Sequence, residues 1–248
     1  MDSRLGRLRA LMRTVPFTSQ SFLGLTDYLL KDHRKFYPWG FAMNGQTSRL
    51  EATRQIIHML NIEHIVETGT FRGTTTEWFS QFGIPVESVE ANERYFAFSL
   101  ARLSRFKNVE LALNSSVPFL KERIAARPEL RNLPHLFYLD AHWQNYLPLR
   151  EELQLIFNCY TNAVVLIDDF MVVDDPGYGY DDYGQDKALN LDYLAHADLN
   201  SFSPFFPASQ SGQETGARRG WVVLSPNSAV AKTLEKISLL RKYDALLG

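Results

Sequence analysis

The stretch that most limits what this chain can fold into is Ile65-Val66-Glu67-Thr68-Gly69-Thr70-Phe71-Arg72-Gly73-Thr74. An apolar run from Ile62 to Val66, broken by Glu63 and His64, reads as a buried strand. It ends at Glu67, passes two glycines four apart, and enters a helical pattern near Thr75. A strand, a tight turn and a helix N-terminus in that order let a ligand approach the backbone closely. A Cβ at Gly69 or Gly73 would strike such a ligand or force an unfavourable φ. Glu67 at the turn argues against a pyrophosphate and for a cationic ligand. The glycine spacing also differs from G-x-G-x-x-G.

From here the chain alternates. Strands are expected at 62–67, 86–90, 109–113, 135–140 and 163–167, with helices near 75–82, 93–105, 117–126 and 148–157 between them. Continuous apolar strands separated by helices predict a doubly wound, mostly parallel α/β sheet covered on both faces. A helix from Ser48 to Leu60, opened by a Ser48-x-x-Glu51 capping box, leads into the first strand. Ahead of it, Asn44 to Gln46 form a loop placed to lie beside the glycine turn. Residues 171–185 are polar, acidic and tyrosine-rich, a loop long enough to be functional. A helix at 187–197, strands at 202–207 and 220–225, and a closing amphipathic helix at 229–244 complete a seven-stranded sheet.

Length and charge narrow the class. The 248 residues suit one large domain at 47–248, preceded by an aromatic-rich helical and loop extension at 1–46 that packs on it. A formal net charge of -2 gives no basic footprint, so nucleic acid is not an expected partner. Cys159 is the one cysteine, which excludes internal disulfides and thiolate metal sites. No run reaches the roughly 18 apolar residues of a bilayer span, and the cytoplasm is the expected compartment. Arg4, Arg7, Arg9 and Arg13 punctuate Leu5, Leu8, Leu11 and Met12, but Arg13 and Pro16 break any secretory h-region. The stretch reads as an amphipathic helix packing on the domain or on a second subunit, which makes a homo-oligomer through this segment an open alternative. Its shortness and narrow apolar face argue against a membrane surface.

Glu67-x-Gly69-x-x-x-Gly73 resembles the first motif of the class I S-adenosylmethionine-dependent methyltransferases, whose cofactor carries a sulfonium and an amino group. The resemblance implies that Glu67, Thr68, Gly69, Thr70 and Gly73 hold this cofactor. Glu90 lies 21 positions past Gly69 at the end of the second strand, where an acid accepts the hydroxyl protons of a ribose, with Asn92 beside it. Asn114 and Ser115 occupy the position from which the superfamily touches adenine, although Asn-Ser is also a good helix cap.

Two further strand ends, Leu139-Asp140-Ala141-His142-Trp143 and Ile167-Asp168-Asp169-Phe170, emerge at the same carboxyl edge. Three carboxylates meeting there repel one another unless a cation or hydrogen bonds compensate, and hard oxygen donors suit magnesium. The arrangement is similar to that of catechol-type and macrocin-type O-methyltransferases, which implies that Asp140, Asp168 and Asp169 bind the metal and that Trp143 flanks the adenine. Ala141 and Gln144 depart from the catechol pattern, Gln144 standing where those enzymes carry a lysine base. His142, an imidazole able to accept a proton near neutrality, is the replacement, as the macrocin-type enzymes imply. The resulting expectation is O-methylation of a small hydroxylated molecule, with Asp140 and His142 catalytic and the 171–185 loop forming the acceptor pocket. A metal-independent methyltransferase and a non-catalytic cofactor-binding protein of the same fold stay open. A nicotinamide-dependent oxidoreductase is disfavoured by the glycine spacing.

Overall fold

The computed structural model describes residues 18–30, 39–142, 147–195 and 202–243. Five strands run parallel: β1 (His64–Thr68), β2 (Val86–Glu90), β3 (Val109–Leu113), β4 (His135–Leu139) and β5 (Ala163–Asp168). β6 (Ser203–Pro207), β7 (Trp221–Ser225) and β8 (Leu240–Lys242) add an antiparallel flank. The order is β3-β2-β1-β4-β5-β7-β6-β8, so the topological switch falls between β1 and β4. Every residue of β4 and β5 is buried, which is why both read as unbroken apolar runs.

Alternate residues of each strand feed opposite faces. Val66, Phe137, Leu139, Val165 and Ile167 pack with α5 (Ser116–Ala126) and α6 (Leu149–Cys159) through Leu120, Leu153 and Ile156. Ile65, Leu136, Tyr138, Val164 and Leu166 pack with Ala52 and Ile56 of α2 (Thr47–Met59) and Phe79 of α3 (Thr74–Ser80). Outside the sheet, α1 (Ser19–Leu30) lies on α4 (Glu93–Leu103) through Leu25, Ala97 and Ala101. Gly24 makes that crossing close, since a Cβ there would sit 2.1 Å from the Arg94 carbonyl oxygen. No helix of the described residues is long and apolar enough to cross a membrane. The Arg-Leu segment before residue 18 lies outside the described residues.

The structure departs from the sequence reading at three places. The expected helix at 229–244 is a short α8 (Ser228–Leu234) capped by the Asn227 side chain, followed by β8, which brings the sheet to eight strands rather than seven. Leu234, Ile237 and Leu240 are all buried. Their spacing of three suits a helix, but it serves a helix end, a turn and a strand instead. The expected helix at 187–197 starts only at Leu191, as α7 (Leu191–Ala195), because Leu189 is tied into the preceding loop through Asp181 and Met171. Finally, no capping box forms at α2. Glu51 pairs with Arg54 and Gln55, while the Thr47 and Ser48 amides donate to the Thr215 hydroxyl (2.9 Å) and Glu214 carboxylate (3.2 Å). A long-range partner has replaced the local one.

Glu152, in the first turn of α6, is fully buried. Burial pushes its carboxyl from 4.5 up to about 7, opposed by the nearby Ser116 and Thr68 hydroxyls, which do not reach hydrogen-bonding geometry. A carboxyl raised in the folded state supports the fold below pH 4.5 and loses that contribution as pH rises through 7. Glu152→Gln should therefore flatten the pH dependence of unfolding across that window, which carries about 3 kcal/mol in the parent. Parallel urea titrations of parent and variant that keep the same slope against pH would refute this.

Candidate active site

The turn after β1 is built against the chain itself. Gly69 has φ +90°, and a Cβ there would lie 2.2 Å from the Asp140 carbonyl oxygen. Gly73 has φ +70°, and its Cβ would meet Leu103 Cδ1 at 2.8 Å. The positive φ values expected from the sequence are present, but the groups behind these glycines are β4 and α4 rather than a ligand. Gly69 thus lets the turn press onto the end of β4, where the Asp140 amide donates to the Thr68 carbonyl at 2.9 Å. Thr68 and Thr70 are buried within this turn.

Glu67 lies under the turn, 1% exposed. Ser88 donates to its Oε2 at 2.6 Å and Thr76 donates to the same oxygen, while Thr70 and Ser88 share a further bond of 2.6 Å. Burial raises the Glu67 carboxyl to about 7, with the two hydroxyls opposing. Glu90 accepts from the Phe71 amide (2.7 Å) and the Asn92 amide (2.8 Å), tying the glycine turn to the start of α4. Burial also raises Glu90, and those amides pull it back. Asn92 caps α4 through the Arg94 and Tyr95 amides. Asn114 accepts from the Ser115 amide at 2.8 Å, and the Ser115 side chain makes no cap bond at the start of α5.

At the ends of β4 and β5 the carboxylates divide into two groups. Asp168 is buried and receives Arg49 Nη1 (2.6 Å), the Tyr138 hydroxyl (2.6 Å) and Asn44 Nδ2 (3.3 Å). Burial pushes its carboxyl up, but Arg49 and these bonds outweigh burial and hold it below the usual range. Expected from the sequence as a metal ligand, Asp168 instead spends its oxygens on protein donors. The groups that do converge are Asp140, His142 and Asp169, each offering one ligand atom within 4.8 Å of the others. Burial, then Asp168 and Asp169, drive Asp140 well above its ordinary pKa. Asp169 rises to about 7 through burial and Asp168, with Arg219 opposing. Its backbone sits at φ +54°, held by the Asp181 amide on its carbonyl (2.9 Å) and by its own amide on Asp168 (2.7 Å).

His142 is 4% exposed, and neither ring nitrogen makes a hydrogen bond. Burial lowers its pKa, outweighing the Asp168 and Asp181 carboxylates and the Asp168 backbone, which lies near the ring without reaching hydrogen-bonding geometry, so the ring is neutral at pH 7 and keeps a lone pair. Tyr183 of the acidic loop places its hydroxyl between the His142 carbonyl (3.2 Å) and Asp181. Arg219 bridges Asp169 and Asp181. Gln46 fixes the Arg219 backbone in both directions, its Nε2 donating to the carbonyl (2.9 Å) and its Oε1 accepting from the amide (2.8 Å). Trp143 and Gln144 lie outside the described residues.

Sequence reasoning missed Arg49, Tyr138 and Arg219, and it placed Asp181 in the acidic acceptor loop without finding its partner. A signal existed for Arg49, which shares the buried stripe of α2 with Ala52, Thr53, Ile56 and Ile57. An arginine on such a stripe demands a buried acid. No local pattern marks Arg219.

This architecture is the fold of the class I methyltransferases. Solved structures that share it include a Klebsiella pneumoniae protein assigned to the O-methyltransferases (13% identity, TM-score 0.53, covering 89% of this chain and 95% of that one). An O-methyltransferase from Bacillus cereus, solved in complex with SAH, aligns at 15% identity and TM-score 0.52 over 85% of this chain and 91% of its own. The methyltransferase domain of bacterial-CtHen1-C aligns at 11% identity and TM-score 0.51, over 73% and 98%. No protein-family model and no curated protein matches the chain.

Replacing Arg49 by Met leaves Asp168 buried without its cation and should cost about 3–5 kcal/mol. The double variant Arg49→Met with Asp168→Asn, which removes the stranded charge but keeps an acceptor for the Tyr138 hydroxyl and the Asp169 amide, should recover most of that loss. Equal destabilisation of single and double variants in urea unfolding would show that the pair does not govern the site's stability.

Proposed function

We propose that this chain is an S-adenosylmethionine-dependent methyltransferase that O-methylates a small, polar, hydroxylated acceptor with the help of a divalent cation. The observation that carries the reading is the contact between the two halves of the edge. Gly69 of the Glu67–Glu90 turn packs directly on the backbone of Asp140, the first of the three converging groups. A methyl donor seated at the turn is thereby next to any acceptor seated at Asp140, His142 and Asp169. Holding two reactants close and aligned is a large contribution to such a transfer.

On the donor side, Glu67 keeps Oε1 without a donor among the described residues, and Glu90 keeps lone pairs beyond its two amide bonds. On the acceptor side, the donor set of two carboxylates and a neutral, unpartnered imidazole fits a divalent ion that accepts both oxygen and nitrogen donors, manganese more readily than magnesium. When bound there, such an ion would lower the pKa of an acceptor hydroxyl. Asp140 and Asp169 then stay ionised where burial and mutual repulsion otherwise favour a proton. The acidic loop, pinned to Asp169 through the Asp181 amide and to His142 through Tyr183, walls the acceptor side and favours polar over apolar groups.

A metal-free reading has its own support, because Arg49 and Arg219 already offset Asp168 and Asp169. In that case the lone pair of His142 takes the acceptor proton. A non-catalytic role is the third reading.

Calorimetric titration separates these. The parent should bind S-adenosylhomocysteine, and folded Glu90→Ala should bind it at least about tenfold more weakly. Undiminished binding by the variant rejects the donor site. Turnover against hydroxylated acceptors should fall in chelator and return with magnesium. Full turnover in chelator selects the metal-free reading, and binding without transfer to any acceptor selects the non-catalytic one.

A further inference from the structure

Resting on the metal-assisted reading, we propose that Arg219 is the internal counter-cation of the Asp140–His142–Asp169 centre, and that an arriving divalent ion displaces it from Asp169. The two arginines at this edge are held in different ways. Arg49 is fully buried, fixed by Asp168 and by the Tyr138 hydroxyl (3.1 Å to Nη2), and its partner lies outside the converging triad. Arg219 has a side chain 23% exposed and forks between Asp169, inside the triad, and Asp181, outside it.

This fork has the parts a displaceable cation needs. The backbone of Arg219 cannot wander, because Gln46 clamps it and the neighbouring Gly220 amide donates to the Gly179 carbonyl at 2.7 Å. The side chain, by contrast, keeps one carboxylate when it loses the other. Asp181, 24% exposed, retains the guanidinium while Asp169 turns to the ion. A guanidinium left on Asp169 would stand within a few ångströms of a doubly charged ion, and both would draw on one carboxylate. Like charges that close repel strongly in a partly buried site. Without an ion, Arg219 supplies the positive charge that faces Asp169 in this centre.

Two measurements test this without relying on turnover. Calorimetric titration of manganese should show folded Arg219→Gln binding roughly ten- to a hundredfold more tightly than the parent, because a competing charge-assisted bond is gone. In protein labelled with [15N]arginine, magnesium should shift or broaden the Nε–H signal of Arg219, assigned by its loss in Arg219→Lys, and leave that of Arg49 in place. Thermal melts confirm that each variant is folded.

Equal or weaker manganese binding by Arg219→Gln, or an unmoved Arg219 signal at saturating magnesium, overturns the proposal. In both cases the metal reading survives, provided Asp169→Asn abolishes binding. If neither the parent nor Arg219→Gln binds manganese at millimolar concentration, the metal reading fails and takes this inference with it.

Discussion

The buried ion pair between Arg49 and Asp168 is the interaction on which the edge of this sheet depends. It joins the helix that precedes β1 to the last residue of β5, so it locks the first element of the main fold to the fifth strand. Burying a charge is costly unless a partner and hydrogen bonds come with it, and here both are supplied. Arg49 reaches Asp168 and Tyr138, and Tyr138 in turn donates to Asp168. With its oxygens so engaged, Asp168 also accepts from the amide of Asp169 and helps hold that residue in a left-handed conformation. The pair therefore supplies stability and also sets where the next carboxylate sits.

The remaining acids gain little such relief. Glu67, Asp140 and Asp169 are all pushed upward, first by burial, and Arg219 answers only Asp169 among them. An edge of this kind lowers its own charge by taking up protons when no cation is present. Any positively charged group that seats there exchanges with those protons, and its affinity falls as pH drops. The two halves of the edge share this property, although one belongs to a glycine turn and the other to strand ends. Their common cause is that parallel strands deliver their last residues to the same water-poor crevice.

Much of this was legible in the residues. β2 and β3 have the boundaries read from the sequence, and the ends of β1, β2 and β5 carry the acids that the pattern singles out. What could not be read is what each acid is bonded to. Asp168 and Asp169 are adjacent and chemically identical, yet one faces a buried arginine 119 positions earlier and the other an arginine 50 positions later. Local sequence carries no information on such pairings. The same blindness explains the start of α2, where Ser48 and Glu51 satisfy a local capping rule but long-range acceptors satisfy the opening amides of the helix. The glycines were correctly read for their φ, while their neighbours were not, because a crowded turn looks alike whether a ligand or a strand does the crowding. The C-terminal segment misled for another reason: a spacing of three fits both a helix and a helix that breaks into a strand.

The stitch between α2 and residues 214–215 sets an order of events during synthesis. The opening amides of that helix find their acceptors 166 and 168 positions further along, and Gln46 and Asn44 likewise wait for the backbone of residues 217–219. A nascent chain emerging from the ribosome can pair β1 with β2 early, but the opening turn of the helix carrying Arg49 lacks these partners until residue 219 has left the tunnel. Competence at the crevice thus waits on a segment 166 to 168 positions downstream of the helix it completes.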